Sequence, residues 1–368
     1  MRIGIDVRIV HYARGGISNY VLRLIEALAQ LDSDTHYAVL HSRKDAHPPV
    51  PGPNFRPASC WTPSHHRLER WALGIEALRL RLDLLHSPDF IPPALGSRRS
   101  VITVHDLTFL HYPQFLTAES HRYYNQQIAW AVRRADHILA DSHATKADLE
   151  SLLAVAPEKV TVVHLAADPG YRPQPVEEVS RVAAEYGLQP GYLLYVGTLE
   201  PRKNLPGLLE AYRALLDRQA TEEPLVLVGG KGWLYDEVFA TVARLRLDDR
   251  VRFLHGVPDD HLPALYSGAS VLVAPSFYEG FGLPPLEAMA CGTPVVVADR
   301  ASLPEVVGEA GLLVDPERPE EIARALARVL TEPPLRARLK EQGLIQAARF
   351  SWPKAARETL DVYRQVLG

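Results

Sequence analysis

Two glutamates eight residues apart, Glu279 and Glu287, stand in the run VLVAPSFYEGFGLPPLEAMACGTPVVV at 271–297. Between them lie Gly280, Phe281, Gly282 and Leu283, then a proline pair. Amides at the start of a helix bind anions through N–H groups that have no partner within the helix. A carboxylate does the reverse: it repels phosphate and accepts hydrogen bonds from hydroxyls. The segment therefore suits a ligand carrying both groups. The amides of 281–283 would hold a phosphate, and the two acids would take sugar hydroxyls on either side of a diphosphate. Alone, Glu287 is an acid favoured by the helix dipole and Glu279 an exposed loop acid. Gly280, Gly282 and Gly292 at turn positions make the combination more specific than either residue.

Such a site needs a strand, a tight loop and a helix in that order. Residues 271–274 and 295–297 are short β-branched runs of the kind that parallel sheets bury on both faces. Residues 277–282 read as the loop. Pro284 and Pro285 suit the first helical positions, and Gly292 suits the helix end. The layout recurs. YLLYV at 192–196 ends at Gly197 and feeds TLEPRKN, whose Arg202 and Lys203 precede a helix. Two cations there serve a diphosphate, or form a solvated basic turn. SVITV at 100–104 ends in His105-Asp106, at the strand edge where open α/β sheets hold ligands; a turn-capping histidine looks the same. Gly15-Gly16 follow a first strand expected over 2–9 and precede a helix from Ser18 or Asn19 to about 31. That is a phosphate-cradling order, although any tight turn wants a glycine.

EGFGLPPLEAMACGTPV resembles the E-x7-E signature of the retaining glycosyltransferases of family four, the large GT-B group that uses nucleotide-diphosphate sugars. VHDL, GTLEPRKN and DSHATKADL at 141–149 are similar to further segments of that family. The resemblance implies that Glu279 contacts the donor sugar and Glu287 the ribose. It implies that His105 lies beside the anomeric carbon and that Lys203, with Arg202 near it, meets phosphate. It gives Gly15 and Gly16 the role of letting the backbone approach the donor phosphate and the acceptor. The loop backbone near Val257 would flank the nucleobase, and Gly280, Phe281, Gly282 and Leu283 would complete the donor site. His105, Glu279 and Lys203 are then the residues expected at the reacting bond. Many members carry an arginine directly after the strand glycine; here Thr198 stands there, which leaves the number of phosphate cations open.

The resemblance also implies the fold: α/β, with two Rossmann-like domains facing across a cleft. Residues 1–172 would bind the acceptor and 173–350 the nucleotide sugar, with 351–368 a helix crossing back to the first domain. Residues 167–190, rich in proline, have the composition of a linker. VHDL, TLEPRKN and the final FSW look most like bacterial mannosyltransferases of polysaccharide assembly, so GDP-mannose is the expected donor. UDP-glucose or another UDP- or GDP-hexose is the nearest alternative, and a nucleotide-sugar epimerase on the same fold is a different class. The resemblance also implies front-face attack in an ion-pair-like state ahead of a covalent Glu279 intermediate. No cofactor and no metal are expected, because cations and amides can receive the leaving diphosphate. The D-x-D of Asp32-Ser33-Asp34 reads as a surface turn at a helix end. The expected acceptor is a saccharide or a lipid-linked saccharide.

A chain of 368 residues with 47% apolar and 23% charged residues can bury two cores. A formal charge of −4 gives no reason to expect nucleic acid. Cys60 and Cys291 are isolated, without disulfide or metal spacing, as suits a reducing cytoplasm. MRIGIDVRIV enters a strand without a signal-peptide layout, and no apolar run reaches spanning length. A cytoplasmic position is expected, with peripheral association at the inner face of the membrane as its variant. The segment 67–81 bears on that variant. Leu68, Trp71, Ala72, Ile75, Leu78 and Leu82 share one helical face, and arginines lie elsewhere. Packing on a sheet is expected for such a stripe ahead of lying on an anionic membrane. Residues 46–63 are expected to be irregular, and Thr117 to cap a helix that turns Tyr123 inward.

Overall fold

The protein is described by a computed structural model covering residues 1–12, 15–66, 68–115 and 118–368, with side chains for all of these except 118–123. The Thr117 cap and the Tyr123 side chain lie outside the described residues. The chain forms two compact units, Met1–Leu165 with Ser351–Gly368, and Ala166–Phe350. Residues 166–172, which the resemblance places with the first domain, fall in the second unit, where the Tyr171 ring meets Tyr266 edge-on at 5.8 Å.

Unit 1 holds a parallel sheet of seven strands: β1 (Arg2–Asp6), β2 (His36–Ser42), β3 (Phe55–Cys60), β4 (Leu82–Ser87), β5 (Ser97–Val104), β6 (His137–Ala140) and β7 (Val160–Val162). Their order is β3-β2-β1-β4-β5-β6-β7. Unit 2 holds six parallel strands: β8 (Leu193–Val196), β9 (Leu225–Val228), β10 (Val251–Leu254), β11 (Val271–Ala274), β12 (Val295–Ala298) and β13 (Gly311–Val314). Their order is β10-β9-β8-β11-β12-β13. Helices cover both faces, which is why runs such as Leu225–Val228 and Val295–Ala298 are buried throughout. In each sheet the winding direction reverses once, between β1 and β4 and between β8 and β11. Open α/β sheets form ligand crevices at that point, beyond the carboxyl ends of the strands.

Four local expectations change. The strand expected over 2–9 stops at Asp6, and Ile9–Tyr12 form a short helix. Arg8 causes the break: it is fully buried, with its guanidinium paired to Asp6 and Glu69 and donating to Thr62 O at 2.8 Å. Within 46–63, residues Phe55–Cys60 form β3. It is an edge strand, so the N–H that Pro57 lacks is not missed. The helix Glu69–Leu78 turns its apolar stripe outward. Leu68, Trp71, Ile75 and Leu78 are 55%, 60%, 64% and 57% exposed, while Leu73, Gly74 and Ala77 face inward. Close approach favours this orientation: a Cβ on Gly74 would come within 2.9 Å of Leu95 O, so the helix can come this near only where glycine faces Leu95. Finally, Asp32 stands at the helix end as expected and Ser33 and Asp34 form an exposed bend, but the Asp32 side chain itself is buried. Its carboxylate accepts from Tyr37 Oη at 2.7 Å and from the amides of Asp34 and Thr35.

The last helix, Trp352–Leu367, belongs to unit 1 and packs on Gly16–Leu31. Ser351 caps it by accepting from Lys354 N. Tyr363 Oη hydrogen-bonds His86 Nδ1 at 2.6 Å in the core.

Candidate active site

At the reversal point of unit 2, the loops after β8 and β11 meet. Arg202 and Lys203 lie on a short 3-10 turn after β8, and Glu279 lies on the loop after β11. Phe277 N donates to Arg202 O at 2.9 Å and fixes the two loops together. Lys203 Nζ reaches Glu279 Oε1 at 2.7 Å and Oε2 at 3.0 Å. Arg202 Nη1 donates to Glu279 Oε2 at 2.7 Å and to Tyr278 O at 2.8 Å, and its Nη2 donates to Glu200 Oε1 at 2.6 Å. Ser276 Oγ donates to Glu279 Oε1 at 2.6 Å. Burial opposes charge on Glu279, but Lys203 and Arg202 outweigh it and hold the carboxyl down at about 2. Two cations and two carboxylates thus balance one another.

From Glu279 the chain runs through Gly280 and Phe281 to Gly282, which caps the helix Leu283–Ala290 with no side-chain hydrogen bond. Gly282 has φ +107, and a Cβ there would meet Leu303 Cδ2 at 2.7 Å, so only glycine makes this entry without strain. Ser302 Oγ lies 2.7 Å from both Glu279 O and Phe281 O and pins the loop from below. Glu287 follows one turn into the helix and accepts from Tyr266 Oη at 2.8 Å. Burial lifts its carboxyl to about 7; the Tyr266 hydroxyl pulls it down, and Asp259 and Asp168 add to the rise. Val257 is half-buried on a separate loop, between β10 and the helix Leu262–Gly268. Thr198, at the departing position, offers its carbonyl to Tyr195 Oη at 2.9 Å.

In unit 1, His105 follows β5. Its Nδ1 is 2.7 Å from Asp141 Oδ2 and its Nε2 is 2.8 Å from Pro88 O. With Asp141 ionised both partners are acceptors, an arrangement that favours the imidazolium, with both ring nitrogens donating. Burial opposes that charge, but Asp141 chiefly, with Asp89 and Pro88 O, lifts the His105 value to about 9. The Tyr20 ring packs edge-on against His105 at 5.1 Å, and Tyr20 Oη bonds Thr103 Oγ1. Gly16 opens the helix Gly16–Leu31 with Gly15 as its cap residue. A Cβ on either glycine would meet nothing within 4 Å. Among the described residues, packing gives no reason for glycine at either position.

The structure therefore brings Arg202, Lys203 and Glu279 into direct contact and leads from them through Gly280, Phe281, Gly282 and Leu283 to Glu287. Gly15, Gly16 and His105 belong to the other unit, and Val257 to another loop. Sequence reasoning missed Glu200, Ser276, Ser302 and Tyr266 as supports. Glu200 was visible inside GTLEPRKN. Ser302 and Tyr266 reach the site from distant segments and carried no local signal. Ser142 is a helix cap, its hydroxyl accepting from Thr145 N at 3.1 Å.

The two parallel units are the architecture of GT-B glycosyltransferases. The chain has TM-scores of 0.79 and 0.75 to the sucrose-phosphate synthase of Thermosynechococcus elongatus and to WaaG, a glycosyltransferase of lipopolysaccharide biosynthesis. Identities are 24% and 18%, and coverage is at least 98% of each chain. The family models for "Glycosyltransferase Family 4" and "Glycosyl transferases group 1" match residues 14–171 and 178–345. The O-antigen chain mannosyltransferase B of Escherichia coli is 34% identical over 99% of this chain and 100% of its own. A D-inositol 3-phosphate glycosyltransferase of Streptomyces bingchenggensis is 36% identical over 64% of this chain and 54% of its own. The chain belongs to the family-four, group 1 glycosyltransferases.

Proposed function

We propose that this glycosyltransferase moves mannose from GDP-mannose to a hydroxyl of a saccharide or lipid-linked saccharide, retaining the anomeric configuration and using no metal. The observation that carries the donor reading is the Arg202–Lys203–Glu279 cluster at the reversal point of unit 2, running directly into a helix N-terminus and on to Glu287. The mannosyl reading is supported by end-to-end likeness to an O-antigen mannosyltransferase. In this reading Glu287 takes the ribose hydroxyls and the loop at Val257 flanks the base. The amides of 281–283, Lys203 and Arg202 meet the diphosphate, Glu279 the sugar hydroxyls, and His105 the sugar near its anomeric carbon. Gly15 and Gly16 leave open space for the phosphate and acceptor, consistent with the absence of any packing reason for them.

The reaction breaks the bond between the anomeric carbon and the diphosphate oxygen, and the electron pair leaves with the diphosphate. Lys203, Arg202 and the helix amides stabilise that growing charge. The acceptor oxygen bonds the anomeric carbon on the face being vacated, and its proton passes to the departing phosphate oxygen. The metal-free reading rests on these cations and on Asp32, whose carboxylate is committed to Tyr37 and turn amides. Among the described residues no helix is long and apolar enough to cross a membrane. A lipid-linked acceptor calls for peripheral association, which the outward stripe of Glu69–Leu78 supports.

The test is a thermal-shift and hydrolysis screen of nucleotide sugars in EDTA, with the anomeric configuration of any product read by NMR. GDP-mannose is expected to give the largest shift and slow hydrolysis. A response to UDP-glucose alone would replace the donor, an epimer formed without acceptor would replace the reaction class, and an inverted product would overturn retention.

A further inference from the structure

The carboxyl ends of β1 and β4, at the reversal point of unit 1, open onto a small pocket lined by Asp6, Ser64, His65, Glu69, Ser87 and Asp89. This is where the topology of the sheet itself predicts a ligand. The pocket is partly open and has space for one water-sized group, ≈ 10 Å³, enough for one water or one hydroxyl. Among the described residues, two polar atoms on its wall have no hydrogen-bond partner: Glu69 Oε2 and Ser87 Oγ, on residues only 3% and 2% exposed. Buried polar atoms are otherwise almost always paired. The other oxygen of Glu69 is held by the buried Arg8, which also grips Asp6, so the carboxylate is fixed in place. His65 is paired with Asp89 at the rim.

The charges select the ligand. Three carboxylates, from Asp6, Glu69 and Asp89, stand against one guanidinium and one imidazole. The space is too small for a phosphate, and the acids disfavour one, whereas a neutral hydroxyl can donate to Glu69 and accept from Ser87. Pro88, between Ser87 and Asp89, gives its carbonyl to His105 Nε2 at 2.8 Å. The pocket is therefore one residue removed from the group assigned above to the anomeric carbon. We propose that it takes one hydroxyl of the saccharide acceptor, beside the attacking hydroxyl, and so sets which sugar is accepted. This rests on the transferase reading and adds to it a site in unit 1.

The test uses crystals of the full chain soaked in the methyl α-glycosides of mannose, glucose and galactose, with NMR titration of the same glycosides in solution. A sugar hydroxyl within hydrogen-bond distance of Glu69 Oε2 and Ser87 Oγ is the expected result. Ser87→Val removes the hydroxyl and fills the space, and is expected to weaken glycoside binding about tenfold. Its melting temperature serves as the folding control, because Ser87 Oγ has no hydrogen-bond partner among the described residues. Glu69→Gln is the second variant, read the same way. Water alone in the pocket with the glycoside bound elsewhere, no glycoside binding at all, or unchanged affinity in Ser87→Val overturns the proposal. GDP-mannose titration of the wild-type protein reads the donor site separately. Its failure with a glycoside seated in the pocket strikes the donor assignment alone, and the reverse strikes the pocket alone.

Discussion

Lys203 Nζ lies 2.7 Å and 3.0 Å from the two carboxylate oxygens of Glu279, so a cation and an acid expected to hold different parts of a ligand hold each other. Arg202 completes the arrangement from the other side. A diphosphate must compete with Glu279 for both cations. Removing the negative charge at Glu279 therefore frees them.

Glu279→Gln is expected to bind GDP up to about tenfold more tightly while transfer falls at least about 100-fold. Calorimetry and initial rates separate the two effects. The same variant changes acid stability. Glu279 is held at about 2 against an ordinary 4.5, so its contribution is fully present above pH 4.5 and is lost as pH falls toward 2. That contribution is about 3 kcal/mol by linkage. Wild type and variant should differ most in urea melts near neutral pH and converge near pH 2. A constant gap across that window contradicts the ion-pair account.

Glu287 has the opposite sign. Burial holds its carboxyl near 7, so ionisation is unfavourable in the fold, and stability from this group is lost as pH rises from 4.5 through 7. Glu287→Gln is expected to melt higher than wild type at pH 8 and to lose that advantage at pH 5. Ribose hydroxyls need an acceptor, so GDP affinity should strengthen between pH 6 and 8 in the wild type and not in the variant. Titrations at three pH values check this.

How much of this was legible in the sequence depended on where each partner sat. The strand Val271–Ala274 was readable to the residue, because a strand buried on both faces is apolar without interruption. Glu279, Lys203 and the glycine entry were readable because they sit within short motifs. Arg8 was not. It falls in an apolar alternation that reads as strand, and its burial depends on partners far along the chain, Thr62 O and Glu69, as well as on nearby Asp6. The stripe of Glu69–Leu78 was read correctly as a face for Leu68, Trp71, Ile75 and Leu78, wrongly extended to Leu82, which begins β4, and wrongly read as an inward face. Periodicity shows which residues share a face; Gly74 against Leu95 favours the face that turned in.

His105 is expected to be an imidazolium through the neutral range, because both ring nitrogens donate to acceptors. Its value is raised from an ordinary 6.5 to about 9, so the stability it contributes is complete below pH 6.5 and lost as pH rises through 9. The ring proton resonances should titrate near 9. In Asp141→Asn the largest favourable partner is gone, and the titration should fall below 7, with the pH-dependent part of stability reduced. If the resonances of wild type titrate near 6.5, the ring is neutral and one of its two hydrogen bonds is misassigned.

The outward stripe gives the last prediction. Leu68, Trp71, Ile75 and Leu78 share one face, and Trp61 beside them is 68% exposed. Arg43 stacks on Trp61 at 3.8 Å, and Arg79 donates to Ser59 O at the same end. Apolar and tryptophan side chains with arginines at their edge match an anionic bilayer surface, where tryptophans partition to the interface and arginines meet headgroups. The full chain is expected to sediment with vesicles containing 30% phosphatidylglycerol, and much less with pure phosphatidylcholine or at high salt. Trp71→Asp with Ile75→Asp should abolish binding. Both side chains are more than half exposed, so the melting temperature should be unaffected. Equal binding by the double variant, or concentration-dependent dimerisation that it abolishes, would assign this face to something other than lipid.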